Sequence, residues 1–364
     1  MKAVAIKPGQ KDSSYLQEVE KPAPGQGELL VQVLETGICG TDLEINSGQY
    51  GSAPEGQDFL VLGHESFGQV VEVGQGLENS GWAQGDYIVS TVRRPCHEDD
   101  PNCEKGRSDM CLTGKYTERG IKERHGYMTE FYAERAEFGI KVPAEFRPFG
   151  VLLEPTAVVE KAIFQAYKIQ ERLEWLPRRA VVFGAGPIGL LATLVLRDKG
   201  LEVFTVAHSL ATSDNVKAGL VQRSGAEYIS SQETPPEELA KKLGQIDLMV
   251  EATGSSEIAF KGLASLGLNG VMSLTSVSGG HNALPLDTNL LNLQLVLGNQ
   301  VVVGSVNAHR RYFELGVESW GSIEKKWPGL LEAVITRKLP MDQFKQALTK
   351  DREGIKTVLQ ITTG

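Results

Sequence analysis

Residues 179–199 read RAVVFGAGPIGLLATLVLRDK, and this stretch decides half of the fold. The apolar run through Val181, Val182 and Phe183 reads as a buried strand, and the periodic apolar segment 190–199 reads as a helix. Between them lies Gly184-Ala185-Gly186-Pro187-Ile188-Gly189. Strand, glycine turn and helix in that order form the context that a dinucleotide fingerprint requires. Gly184 permits the tight turn, Gly186 lets backbone approach a pyrophosphate, and Gly189 allows helix to pack on strand. Pro187 and Ile188 open the helix whose N-terminus favours the anion. A purely structural glycine turn is the competing reading.

Working outward, strand signals at 202–206, 246–251, 270–275 and 300–304 alternate with helical segments, as in βαβ units around a parallel sheet. Upstream of about residue 160 the pattern changes. Short alternating runs such as Glu28-Leu29-Leu30-Val31-Gln32-Val33 and Gly68-Gln69-Val70-Val71-Glu72-Val73 lie between turn clusters, as in a barrel-like β domain. A helical stretch from about Pro155 leads into the parallel-sheet half, and a closing strand at 357–361 is placed to return to the first domain. The expectation is an α/β protein: a mostly β domain from 1–160 and 305–364, and a doubly wound parallel-sheet domain from 161–304.

The end of the second strand of a dinucleotide domain selects the cofactor, because an acid there binds the ribose 2′-hydroxyl and repels a 2′-phosphate. Here the chain reads Val206-Ala207-His208-Ser209-Leu210, with neither acid nor arginine. His208 and Ser209 are candidate partners of a 2′-phosphate, against the competing reading of an exposed loop. NADP is the inferred preference, with NAD kept open.

The chain has 364 residues and a formal net charge of −9, without a concentrated Lys/Arg run, which argues against a nucleic-acid partner. No apolar run reaches membrane-spanning length, and MKAVAIKPGQ enters a strand-like alternation directly, so a cytoplasmic protein acting on a small molecule is expected.

Cys39, His64, Glu65 and Glu154 are the side-chain types that bind a borderline-soft divalent cation, and a catalytic zinc keeps a position open for substrate. They stand in GICGTD, in GHESFGQVVEVG and in Leu153-Glu154-Pro155, with Gly37 and Gly40 bracketing Cys39 where backbone is expected to crowd a metal. Cys96, Cys103 and Cys111 form a second candidate metal cluster, since thiols spaced this closely in a reducing compartment suggest metal before disulfide.

These strings, together with Cys39-Gly40-Thr41-Asp42-x-Glu44, Arg93-Arg94-Pro95, Gly106-Arg107-Ser108-Asp109-Met110-Cys111, Glu118-x-Gly120-Ile121, His125-Gly126-Tyr127-Met128 and Val306-Asn307, resemble the zinc-containing medium-chain alcohol dehydrogenases. Within them the match is to the glucose dehydrogenases of archaea and some bacteria, over the whole chain. The resemblance implies a GroES-like catalytic domain beside a Rossmann domain. It implies Cys39 and His64 as zinc ligands, with Glu65 and Glu154 at the site, and Thr41 as proton relay and nicotinamide contact. Glu118, Glu154 and His125 become candidates for sugar hydroxyls, and Asn307 for the nicotinamide and substrate. For His125, pinning by backbone hydrogen bonds is the competing reading.

Two departures stand out. Glu44 replaces the histidine of many zinc alcohol dehydrogenases, and Val92 stands where some glucose dehydrogenases place a sugar-binding Asn, which relaxes the expected hydroxyl specificity. The cysteine cluster resembles the structural zinc lobe of the superfamily with one cysteine missing, so the fourth ligand falls to His97, Asp99 or Asp100. The reading is a zinc-dependent aldose 1-dehydrogenase that oxidises D-glucose to the lactone with NADP or NAD, a homodimer or homotetramer. A zinc polyol or secondary-alcohol dehydrogenase and a non-catalytic nicotinamide-binding scaffold are the alternatives.

Overall fold

The backbone N–H and C=O groups of a buried strand need partners on both edges, and Glu28–Gly37 has them. In the computed structural model, which describes residues 1–278, 283–351 and 353–362, this strand is longer than the 28–33 run suggests and carries the chain to Cys39. It pairs antiparallel with Glu65–Val73 on one side and with Lys356–Gln360 on the other, in the sheet order Gly139–Val142, Tyr87–Ser90, Glu65–Val73, Glu28–Gly37, Lys356–Gln360, Ile335–Pro340, while Phe131–Arg135 also pairs with Glu28–Gly37. The register sets Gly37 opposite Glu65 on one neighbour and opposite Val358 on the other. Val4, Leu29, Val31, Leu62, Ile88 and Leu359 are fully buried in the apolar core of this unit. The unit consists of Met1–Ala157, Asn307–Val317 and Ile335–Gly364.

The second unit, Val158–Val306 with Glu318–Val334, holds a six-stranded sheet, parallel throughout. Its order is Glu227–Ser230, Glu202–Ala207, Arg179–Phe183, Leu248–Glu251, Val271–Leu274, Val301–Gly304, the doubly wound arrangement that reverses beside the unit's first strand. Five of the strands lie where the sequence pattern places them. The edge strand Glu227–Ser230 is additional to them, because its only apolar residues, Tyr228 and Ile229, make too short an apolar run to stand out. The helix after the glycine turn runs Pro187–Asp198, starting before the expected residue 190, because proline with its fixed φ and missing N–H suits the first helical position. Glu318–Val334 groups with this unit; Ser322 Oγ and Lys326 Nζ bond Asp198 Oδ1 at 2.5 and 2.7 Å. Among the described residues no helix is long and apolar enough to cross a membrane.

Candidate active site and metal centres

Cys39 caps a short helix, Gly40–Asn46, and the cap fixes its sulfur. The Thr41 N–H donates to Cys39 Sγ at 3.3 Å, and the Cys39 N–H donates to Asp42 Oδ2 at 2.9 Å, a reciprocal capping box with sulfur in place of a hydroxyl. Asp42, wholly buried, also stands 3.5 Å from His64 Nδ1 through its other oxygen. The opposite ring nitrogen, Nε2, lies 3.0 Å from Cys39 Sγ. A carboxylate behind one histidine nitrogen sets the tautomer that presents the other, the arrangement by which metal-binding histidines are held. Burial opposes charging of His64, yet Cys39 and then Asp42 drive its pKa well above the ordinary range.

Glu65 follows at the head of its strand and completes a cluster in which one donor atom each from Cys39, His64 and Glu65 lies within 4.8 Å of the others. Sulfur, imidazole nitrogen and carboxylate oxygen form a donor set suited to zinc, so the residues fit the ion that their sequence pattern implies. Glu154, in the first turn of the helix Leu153–Gln170, is buried and lies outside that cluster of three. Burial pushes its pKa up to about 7, with His64 opposing and Glu65 adding to the rise. The crowding expected around Cys39 has a different origin. A Cβ on Gly37 would stand 2.1 Å from Glu65 Oε2 and 2.9 Å from Lys356 Cε, whereas one on Gly40 would meet nothing. Gly37 therefore makes room for the Glu65–Lys356 ion pair, since the register places it opposite Glu65.

Glu118 and Asn307 come together within the first unit: Asn307 Nδ2 donates to Glu118 Oε1 at 3.1 Å. Asn307 sits at φ +59°, a left-handed conformation that asparagine tolerates, and its Oδ1 accepts from the Ala308 N–H at 2.8 Å. His125 does not join them. Its Nδ1 accepts from the Val61 N–H at 3.1 Å, its Nε2 pairs with Gln57 Oε1 at 2.7 Å, and its ring stacks on Phe59. Both nitrogens are engaged within the protein, as in the pinned reading that the sequence left open beside a sugar contact. Burial, and then Arg119, lowers its pKa.

In the cysteine lobe, Cys96, Cys103, Cys111 and Asp100 bring their donor atoms within 4.8 Å of one another. Among the three fourth-ligand candidates, geometry selects Asp100; His97 and Asp99 are exposed and stand outside the cluster. Asp100 is also the N-cap of Pro101–Glu104. Its Oδ1 accepts from the N–H groups of Asn102 and Cys103 at 2.9 and 3.2 Å, and its Oδ2 from Leu112 and Thr113 at 2.6 and 3.4 Å. Burial works against its charge, but these N–H groups, Leu112 first, hold its carboxyl down at about 2.

In the second unit Gly184 lies at φ +103°, and a Cβ on Gly189 would fall 1.9 Å from Gly184 O, so the first glycine turns and the third packs. Gly186 differs: a Cβ there would meet nothing within 4 Å, and no side chain caps the helix it begins. Open space over uncapped N–H groups fits a bound pyrophosphate. Pro187 and Ile188 form the first turn of that helix. At the tip of the second strand His208 is exposed, and Ser209 Oγ pairs with Tyr228 OH at 2.9 Å.

Asp42 and Lys356 join the site without having been singled out by the sequence. Asp42 was legible in principle, since its spacing from Cys39 is that of a capping box. Lys356 carried no local signal.

Comparison with known proteins agrees with this architecture. Residues 25–144 match the alcohol dehydrogenase GroES-like domain, and residues 147–361 match the family described as glucose dehydrogenase C-terminus. The chain is 47% identical to a glucose 1-dehydrogenase of Methanocella arvoryzae over 99% of both chains, and 40% identical to one of Thermoproteus tenax over the full length of both. Among solved structures, the Haloferax mediterranei glucose dehydrogenase in complex with NADP, Zn and gluconolactone superposes with a TM-score of 0.90 at 34% identity, covering all of each chain. A structure of galactitol-1-phosphate dehydrogenase from Escherichia coli, at 22% identity and TM-score 0.79, shares the fold. With a GroES-like domain, a doubly wound nucleotide unit and full-length kinship of this order, the chain belongs to the glucose dehydrogenase family of zinc-containing medium-chain dehydrogenases.

Proposed function

We propose that this protein is a zinc-dependent aldose 1-dehydrogenase that oxidises D-glucose at the anomeric carbon to the lactone, passing hydride to NADP or NAD. The observation that carries the reading is the cluster of half-buried Cys39 with buried His64 and Glu65. The Haloferax mediterranei relative that binds NADP, Zn and gluconolactone supports it over the whole chain.

Cys39, His64 and Glu65 would hold the ion, with Glu154 beside them. A zinc ion bound there supplies Lewis-acid activation of the sugar's anomeric hydroxyl. Thr41 takes the hydroxyl proton into a relay through its own hydroxyl. Glu118, Glu154 and Asn307 orient the remaining hydroxyls, so that a simple alcohol would leave buried polar groups unpaired. Gly184, Gly186, Pro187, Ile188 and Gly189 cradle the pyrophosphate of the hydride acceptor, and His208 and Ser209 face the ribose end, where the lack of an acid admits the 2′-phosphate of NADP. Cys96, Asp100, Cys103 and Cys111 would hold a second zinc that braces their loop, because four protein donors leave no open position.

We further assign the protein to the cytoplasm, where its four cysteines stay out of disulfides, and to a homodimer or homotetramer. Val301–Gly304, at the sheet edge with Val302 exposed, offers, among the described residues, a free outer strand edge for such a contact.

The test is cofactor reduction, followed by nicotinamide absorbance, by zinc-loaded protein across aldoses, polyols and simple alcohols with NADP and NAD in parallel. Turnover on glucose and its epimers is expected. Turnover confined to polyols would replace the aldose reading, and none on any substrate would leave the scaffold reading.

A further inference from the structure

Arg93 lies directly opposite Glu118 in the small antiparallel pairing of Arg93–Arg94 with Thr117–Arg119. Its Nε donates to Glu118 Oε1 at 3.0 Å, and its Nη2 stands 3.0 Å from the same oxygen. With Asn307 Nδ2 at 3.1 Å, three nitrogens converge on Oε1, two of them hydrogen-bonded to it, and none of the three contacts falls on Oε2. The guanidinium is itself fixed. Its carbon lies 3.5 Å over the Tyr116 ring, its Nη1 donates to Asp109 O at 3.3 Å, and Ser108 Oγ donates to Arg93 O at 3.3 Å. Arg93 and Glu118 are both buried, at 6% and 4% exposure.

A carboxylate with one oxygen held in this way cannot rotate to share its charge among incoming donors, so the other oxygen is left as the acceptor in a fixed position. A sugar hydroxyl is a donor of that kind. Resting on the aldose reading above, we infer that Arg93 is the positioning residue that makes Glu118 select one particular sugar hydroxyl. The planar guanidinium reaches Oε1 while stacking on Tyr116 and bonding Asp109; a lysine ammonium, a point charge on a flexible stem, cannot hold all three. The same contacts tie Glu118 to the segment between Cys103 and Cys111, so order in the cysteine lobe reaches the substrate through Arg93.

The experiment compares the zinc-loaded wild type, Arg93→Lys, Glu118→Gln and the double variant on D-glucose and its 2-, 3-, 4- and 6-deoxy analogues, with kcat and KM separated and cofactor affinity measured by fluorescence. Glu118→Gln identifies the hydroxyl at issue as the one whose deletion no longer matters. Arg93→Lys is expected to raise the glucose KM about tenfold with kcat within about threefold, to lose discrimination at that same hydroxyl, and to add little in the Glu118→Gln background. Tyr116→Leu, which loosens the guanidinium without removing it, should show a smaller loss at the same hydroxyl and serves if Arg93→Lys does not fold. Unchanged discrimination in both Arg93→Lys and Tyr116→Leu, or effects additive with Glu118→Gln, would overturn the role of Arg93 while leaving the aldose reading intact. Absence of aldose turnover in the wild type would remove the aldose reading, and the inference with it.

Discussion

Lys356 and Glu65 form an ion pair with side chains only 1% and 3% exposed, between the last strand of the chain and the strand that begins at the metal cluster. Lys356 Nζ also donates to Ile38 O at 2.9 Å, the residue before Cys39. One ammonium thus holds both the cysteine segment and the carboxylate in place. Burial opposes its charge, but Glu65 and then Cys39 keep its pKa raised.

Breaking a buried pair by removing one partner leaves the other charge stranded, at a cost of about 3–5 kcal/mol. Lys356→Met should destabilise the metal-free protein by that amount in urea unfolding, and Glu65→Gln in the same chain should restore part of the loss. Equal destabilisation in the single and double variants would show that the pair is not what holds these strands.

Gly186 and Gly189 should respond oppositely to alanine. The methyl of Gly189→Ala falls against Gly184 O, so overpacking by about 1–3 kcal/mol is expected and the melting temperature should drop. Gly186→Ala has room for its methyl in the protein alone and none beneath a pyrophosphate. Its melting temperature should stay within error while the dissociation constant for NADP rises about tenfold, a loss of roughly 1.4 kcal/mol.

Asp100 belongs both to the cysteine lobe's backbone hydrogen bonding and to its proposed metal-donor set. Asp100→Ala removes one donor of the cluster and four backbone partners, so zinc content should fall by up to one equivalent and the melting midpoint by a few degrees, as measured by elemental analysis and calorimetry. Asp100→Asn keeps the shape and should retain more of the thermal stability than of the metal.

Glu134 supplies a pH dependence. It is buried against Arg94 and Arg119, the latter at 2.8 Å. Burial alone would raise its pKa, but Arg119 and then Arg94 bring it down to about 2. A carboxyl depressed on folding stabilises fully above its ordinary pKa and loses that contribution as pH falls towards the folded value. The first unit should therefore lose about 3 kcal/mol as pH falls from about 4.5 to about 2. Glu134→Gln should flatten this decline and lower stability at neutral pH; an unaltered acid limb would assign the effect to other groups.

The dinucleotide unit was legible because its signal is local: strand, glycine turn and helix lie within 179–199, and chain geometry forces the turn at Gly184 and the close packing at Gly189. Cys39, His64 and Glu65 were legible as metal-binding types, and the sheet register that faces Gly37 with Glu65 brings their segments together. Other relationships had no local signature. Whether His125 was free for substrate depended on Val61 and Gln57 saturating its ring, and the choice of Asp100 over His97 depended on where one turn of backbone pointed its N–H groups. Arg93 on Glu118 and Lys356 on Glu65 join residues distant in sequence. The order of residues sets which chemistries this chain carries. Which groups remain available for them is a property of the fold, because a buried polar atom is claimed by its nearest partner in space, and strand pairing rather than chain position sets that partner.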